Sequence, residues 1–401
     1  MKLAYVLPRY GTEILGGAEQ AARTLAEAVV QRPGWSVEVF TTCALDAGTF
    51  ADDYPPGTTT ESGVVVHRFP AKGRDADFDR ISNEILFAAP EVQERRSDEW
   101  INAQGPVSPE LLAALRNSDA DLVAFHPYLY HPTVVGIREV GERPVILHPA
   151  THDERPIYLP VFDDVFAAAD GIVFWTRSEQ AFANQRFMIG ATPQLVLGIG
   201  VEAEPGTPEA AQAALGLGDA PYVLCLGRVD ISKGTDLLVS FFAAYKDRNP
   251  GPLKLVLAGP VRHAPIAHPD VIVAGPVDAE TKWGLLRGAD ALISPSPLES
   301  FSIVVLESWI AGTPVLVNGA CQPTRDHASD ANGGLWFTDY GTFEGTLGRL
   351  VGDPALRAAL AINGRAYVDR RYAQAVLTDR YLEFCTAVAR LHDHARSLNT
   401  R

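Results

Sequence analysis

The chain has 401 residues, 47% of them hydrophobic, which suggests two domains with a core each. Its formal net charge is −15, and residues 1–200 alone set 16 Lys/Arg against 27 Asp/Glu. That balance argues against nucleic-acid binding and against tight docking on anionic membranes, because phosphate contacts need clustered positive charge.

The opening "MKLAYVLPRYG" has too short an apolar run for a signal-peptide core and reads as a first strand. No apolar run approaches the ~18 residues of a membrane span. No span is expected, peripheral membrane contact through a local basic patch stays open, and a cytoplasmic location is expected. "RYGTEILGGAEQAARTLAEAV" (9–29) follows that strand, and Gly16-Gly17 opens the helix pattern Ala18–Val30. Glycines at a helix start let backbone amides approach a phosphate closely, although this is not GxGxxG and a plain helix start is the alternative. "VEVFTT", "VVVHRFP", "DLVAFH", "PVILHP" and "GIVFWT" continue as buried strands. Between them, 72–105 mixes acids, arginines and aromatics without a period and reads as an insertion. "LVAFHPYLYHPT" ends a strand with His126, suited to a sugar hydroxyl or to a structural role. "LHPATHDERP" clusters His148, His152, Asp153 and Glu154 at another strand end. Their spacing fits no metal-ligand pattern, so an acceptor-facing polar patch is expected there.

The helix pattern Ser178–Met188 is followed by "GIGVEAEPGTPEAAQ" (198–212), a pause rich in Gly, Pro and Glu that reads as a linker. A second βαβ series then runs through "YVLCLG", "LKLVLAG", "VIVAG", "ALISPS" and "PVLVN", with helices at Thr235–Tyr245 and Glu280–Arg287 between strands. Strands alternating with helices imply parallel sheets covered on both faces. The expected fold class is α/β, two doubly wound Rossmann-like domains facing across a cleft. The expected boundaries are 1–198 and 199–374, with a C-terminal helix of about 375–401 packing back onto the first domain. Cys43, Cys225, Cys321 and Cys385 form no CxxC pair, so neither zinc nor a disulfide framework is indicated.

Two motifs of the second half carry chemistry. In "LGRVDISKGTDLL" (226–238) Arg228 and Lys233 stand at a strand's carboxyl end, where two cations could neutralise a leaving diphosphate. Only six of the 34 basic residues are lysines, so Lys233 is not one of a crowd. In "LESFSIVVLESWIAGTPV" (298–315) Glu299 precedes a helix whose start is marked by Ser300–Ser302, and Glu307 lies along it. Free amides and the helix dipole make that start an anion site. Carboxylates on either side of it suit a nucleotide sugar, with Glu299 on the hexose, the amides near Ser302 on phosphate and Glu307 on the ribose. Two glutamates alone would more often be a loop acid and a solvated helix residue; the strand–loop–helix–Gly-x-Pro context favours the nucleotide-sugar reading.

Together these residues resemble the retaining glycosyltransferases of family 4, which have the GT-B fold. The resemblance rests on Gly227-Arg228…Lys233-Gly234, "LAGP", "GLLRGADALISPS" and Glu-x7-Glu with Gly-x-Pro-Val, and more loosely on Gly16-Gly17 and His126. It implies transfer of a hexose-type sugar from a nucleoside-diphosphate sugar, with retention, to a hydroxyl on a sugar, lipid-linked or small-molecule acceptor. It also implies that Arg228 and Lys233 bind the diphosphate and that Gly16 and Gly17 cover the phosphates. Glu299 and His126 would contact the donor sugar, Ser300, Phe301, Ser302 and Ile303 the donor at the helix start, and Glu307 the ribose. Pro276 and Val277 fall where the base docks, and His152, Asp153 and Glu154 where an acceptor would. No cofactor and no metal are expected; a UDP-sugar is favoured and a GDP-sugar is the alternative. Ser302 departs from the glycine most common at its position. The rival readings are a nucleotide-sugar 2-epimerase of the same fold and a non-catalytic two-lobed sugar-binding protein.

Overall fold

The computed structural model describes residues 1–14 and 16–399. The chain forms two compact units, residues 1–200 with 374–401, and residues 201–373. The last two residues of the expected C-terminal helix, and Leu15 in the Gly16-Gly17 loop, lie outside the described residues.

The first unit is built on an eight-stranded sheet of β1 (Lys2–Val6), β2 (Ser36–Thr42), β3 (Gly57–Glu61), β4 (Val64–Phe69), β5 (Leu122–Phe125), β6 (Val145–Leu147), β7 (Gly171–Phe174) and β8 (Gln194–Val196). The order is β3-β4-β2-β1-β5-β6-β7-β8. All neighbours are parallel except β3, which joins β4 antiparallel at the edge. The sheet is therefore not purely parallel. The sequence "GTTTE" of β3 offers no apolar residue, and four of its five residues are exposed, so periodicity does not reveal it. The central strands are continuous apolar runs, buried on both faces, as parallel strands under helices must be.

Residues 72–105, without a readable period, fold into two helices, Phe78–Leu86 and Pro90–Gln104. They are tied by a few large contacts. Trp100 is fully buried, meets Phe78 edge-on at 5.6 Å and donates its indole N–H to Ser82 Oγ at 3.0 Å. One tryptophan does the work that a longer apolar stripe does elsewhere.

The C-terminal helix Gln374–Asn399 belongs to the first unit. Leu377, Tyr381, Cys385 and Val388, spaced about four apart, are buried. Tyr381 lies 3.1 Å from His148 Nε2, and a Cβ on Gly171 would stand 2.7 Å from Val388. Glycine at the start of β7 is what lets this helix sit down.

The second unit has a six-stranded parallel sheet of β9 (Tyr222–Leu226), β10 (Lys254–Ala258), β11 (Val271–Gly275), β12 (Ala291–Ser294), β13 (Val315–Asn318) and β14 (Gly334–Phe337), in the order β11-β10-β9-β12-β13-β14. From β9 the chain winds one way to β11, then crosses to β12 on β9's other side. A topological switch point, the usual ligand crevice of open α/β sheets, therefore lies between β9 and β12. In the first unit the corresponding point lies between β1 and β5. All four cysteines are buried and free, the Cys225 thiol being pushed up to about 12 by burial. Among the described residues no helix is long and apolar enough to cross a membrane.

Candidate active site

The second unit's switch point brings together residues that are far apart in sequence. Lys233 leaves β9 through a short 3-10 turn, Ile231–Lys233, capped by Asp230, whose Oδ1 accepts the Ser232 N–H at 2.7 Å. Gly234 ends the turn at φ +72°, and a Cβ there would stand 2.6 Å from the Pro295 carbonyl oxygen behind β12. Only glycine allows both that backbone and that approach. The contact lays the β9 loop on the β12 loop, and Lys233 Nζ donates to Glu299 Oε1 at 2.7 Å. Arg228 stands half-exposed at the end of β9, its Nε 3.0 Å from Asp230 Oδ2. Asn318, at the end of β13, donates to Pro295 O at 2.9 Å and holds the β12 loop from its other side.

The helix Ile303–Ile310 starts immediately after. Ser302 is its N-cap at φ 70°, ψ 75°, a left-handed backbone, and its side chain makes no capping bond. Glycine adopts that conformation without cost, which accounts physically for glycine being the usual residue there. Phe301 points inward, 2% exposed and edge-on to His327 and Tyr372, so only its backbone faces the loop. The helix is buried nearly all round; Trp309 donates to Gly333 O at 2.8 Å and fixes its far end.

Glu307 is 4% exposed. A carboxylate so placed needs a cation, and Lys282 Nζ meets its Oε1 at 2.7 Å. Sequence reasoning missed Lys282. It lies on the helix Ala279–Gly288, which begins just after Pro276 and Val277, so the ion pair ties the expected ribose ligand to the expected base-docking segment. The available signal was that a glutamate within an apolar helix requires a cation, and the chain holds only six lysines.

In the first unit, Gly16 is the N-cap of the helix Gly17–Val30; a Cβ there would fall 2.2 Å from Glu19 Oε2, whereas Gly17 faces open space. Glu19 is paired with the buried Arg9. His126 follows β5 and is 1% exposed. Its ring stacks on His148 with centroids 3.9 Å apart, and its Nε2 has no hydrogen-bond partner. Burial pushes it down to about 3, so the imidazole is neutral. The expected acceptor residues are engaged at the end of β6. Glu154 accepts from Tyr128 at 2.8 Å and lies 3.4 Å from His152, and Asp153 accepts from Tyr158 at 2.8 Å. Among the described residues, no group of three or more His, Cys, Asp or Glu is gathered as a metal would require.

Residues 209–367 match the family described as glycosyl transferases group 1. Among curated proteins the chain is 33% identical over 237 residues to the D-inositol 3-phosphate glycosyltransferase of Acidothermus cellulolyticus, covering 52% of this chain and 51% of that protein. With the protein of the same name from Saccharomonospora viridis it shares 31% over 257 residues, 56% of this chain and 58% of the other. The matched stretch spans about half the length of these relatives. Over nearly the whole chain, 96%, the structure resembles sucrose-phosphate synthase from Thermosynechococcus elongatus, with a TM-score of 0.70 at 18% identity and 98% of that chain covered. It likewise resembles Anabaena HepE in complex with UDP-glucose, with a TM-score of 0.67 at 17% identity, covering 96% of this chain and 100% of the other. The fold is thus GT-B, two Rossmann-like α/β units, and the match to the glycosyl transferases group 1 family lies in residues 209–367.

Proposed function

We propose that the protein is a retaining glycosyltransferase that moves a hexose-type sugar from a nucleoside-diphosphate sugar to a hydroxyl acceptor without a metal. The observation that carries this reading is the Lys233–Glu299 pair, 2.7 Å apart across the β9/β12 switch point and beside the helix start at Ser302. Lys233 has two donors beyond the one given to Glu299. Together with Arg228 it would neutralise the diphosphate as the anomeric C–O bond breaks. Amides at Ser300–Ile303 take phosphate oxygens, Glu299 a hexose hydroxyl, Glu307 the ribose, and the Pro276–Val277 backbone the base. From the first unit, Gly16 and Gly17 admit the phosphates closely and His126 Nε2, buried without a partner, hydrogen-bonds the hexose.

The new C–O bond forms on the face the phosphate leaves, and the departing phosphate oxygen takes the acceptor proton. That route needs no nucleophilic carboxylate, and Asp153 and Glu154 are held by tyrosine hydroxyls. UDP is the favoured nucleotide because a structural neighbour is described in complex with UDP-glucose. Because the curated relatives are named for it, D-inositol 3-phosphate is the first acceptor to screen.

The test is calorimetric titration with UDP, GDP, ADP and dTDP, with and without chelator. One diphosphate should bind, indifferent to chelator, and lose its affinity in Glu307→Ala; binding by none, in folded protein, removes the reading. Glu299→Ala and Lys233→Ala should each abolish most transfer, and full activity in either would discard the site.

A further inference from the structure

The stretch "NGACQPTRDH" (318–327) ends β13 and opens the helix Gln322–Ala331. It meets the loop from β12 to Ser302 at the loop's start, middle and end. At the start Asn318, 8% exposed, donates its amide N–H to the buried Pro295 carbonyl at 2.9 Å. Its Oδ1 accepts the Ala320 N–H at 3.0 Å, so both halves of the side-chain amide are engaged. In the middle, Cys321 is buried with its thiol beside Glu299. Burial pushes its pKa up, and the Thr324 and Glu299 amides pull against this. At the end, the His327 ring meets Phe301 edge-on at 4.8 Å, with its Nδ1 3.2 Å from the Tyr367 hydroxyl.

The stretch keeps its own shape through local bonds. The Cys321 N–H donates to Asn318 O at 3.1 Å, Thr324 Oγ1 to Cys321 O at 3.2 Å and Arg325 Nη1 to Gly319 O at 3.3 Å. A Cβ on Gly319 would stand 2.9 Å from the Thr338 side chain, so the turn also presses on the residue after β14.

What this turn supports needs a support. Ser302 holds a left-handed backbone, and its side chain makes no capping bond. A non-glycine residue stays in that conformation only where its surroundings over-determine it. The contacts at Glu299 and Phe301 fall immediately before Ser302, whose backbone sets the direction of the amides at the helix start. The β9 turn meets the same loop, Gly234 at Pro295 and Lys233 at Glu299. Pro295 and Glu299 are therefore each gripped by two separate segments of chain.

We propose that residues 318–327 form a bracket that sets the phosphate-binding geometry of the 295–302 loop, with Asn318 as a positioning residue that touches no substrate. This rests on the transferase reading and deepens it. The bracket governs the hold on the phosphate next to the transferred sugar, and leaves the ribose, held further along the helix by Glu307, unaffected. Without the Asn318 N–H the Pro295 carbonyl is buried and unsatisfied, and the loop must shift to relieve it.

The experiment uses the full-length protein as wild type, Asn318→Ala and Leu347→Ala, the last removing a fully buried core side chain of the same unit. Amide hydrogen exchange, followed by mass spectrometry, reads residues 296–302 without ligand. Calorimetry reads the affinity for the nucleoside diphosphate that wild type binds and for its monophosphate. In Asn318→Ala, exchange at 296–302 should rise roughly tenfold relative to the rest of the unit, and diphosphate affinity should fall roughly tenfold while monophosphate affinity holds. Leu347→Ala should lower stability yet keep the wild-type pattern in both readouts. Unchanged exchange at 296–302, equal weakening of the two nucleotides, or the same changes in Leu347→Ala overturns the proposal. If Asn318→Ala does not fold, Asn318→Asp at pH 8, which keeps the acceptor for Ala320 and lacks the donor for Pro295, is judged by the same criteria. Failure of UDP, GDP, ADP and dTDP alike to bind wild type removes the transferase reading instead, while exchange at 296–302 still decides the bracket.

Discussion

Ser302 carries a local strain that its side chain does nothing to offset. A non-glycine residue in the left-handed region costs about 1–2 kcal/mol, and the Ser302 hydroxyl makes no cap bond in return. Ser302→Gly should therefore raise stability by about 1 kcal/mol or less, once the greater freedom of the unfolded glycine is counted, and Ser302→Ala should be neutral. Urea denaturation decides it, and a clear loss in the glycine variant would mean the hydroxyl has an unseen duty. Lys282 is the opposite case, because its partner is buried and it is itself partly exposed. Lys282→Met should cost about 2 kcal/mol by leaving the Glu307 carboxylate uncompensated, and Lys282→Arg should restore most of it. Chemical denaturation of both variants checks this.

His327, buried under Phe301 with Nδ1 3.2 Å from the Tyr367 hydroxyl, is pushed down to about 4 by burial and by Arg371. Its folded pKa lies below its unfolded value, so its share of stability is complete above about pH 6.5 and drains away as pH falls toward 4, by up to about 1.4 kcal/mol per pH unit. Acid unfolding followed by circular dichroism should be less steep in His327→Gln across that window; an unchanged slope would mean the ring is already protonated in the fold.

At the scale of elements, the site depends on one loop lying on another. Gly234→Ala would meet both the positive φ and the Pro295 carbonyl 2.6 Å away, so the Lys233 turn must lift off the β12 loop. The expected cost is about 2 kcal/mol or more, with diphosphate affinity reduced along with stability, whereas Gly17→Ala, facing open space, should leave stability nearly unchanged. Paired thermal melts and nucleotide titrations separate the two. Elements were legible where burial is continuous. The central strands of both sheets and the helix after Glu299 announce themselves as apolar runs or stripes. The edge strand β3, the short strands β8 and β14 and the helices of 78–104 did not, because edge and surface elements bury too few residues to leave a period.

At the scale of the whole molecule, the chain leaves its first unit at 200 and returns to it at 374. The returning helix supplies Leu377, Tyr381, Cys385 and Val388 to that unit's interior, and its His392 bonds Asp170 at 2.9 Å. A chain ended at Ala373 should lose or sharply lower the calorimetric transition of residues 1–200 while leaving that of 201–373 in place; two unchanged transitions would mean the helix is dispensable. Sequence alone determined the α/β class, the central apolar strands and the identity of Arg228, Lys233, Glu299 and Glu307 as candidates, because burial pattern and loop chemistry are local properties. Tertiary structure decided what each of these touches. The Lys233–Glu299 and Lys282–Glu307 pairs and the buried state of His126 arise between segments tens of residues apart, and a one-dimensional pattern carries no record of which strand ends become neighbours.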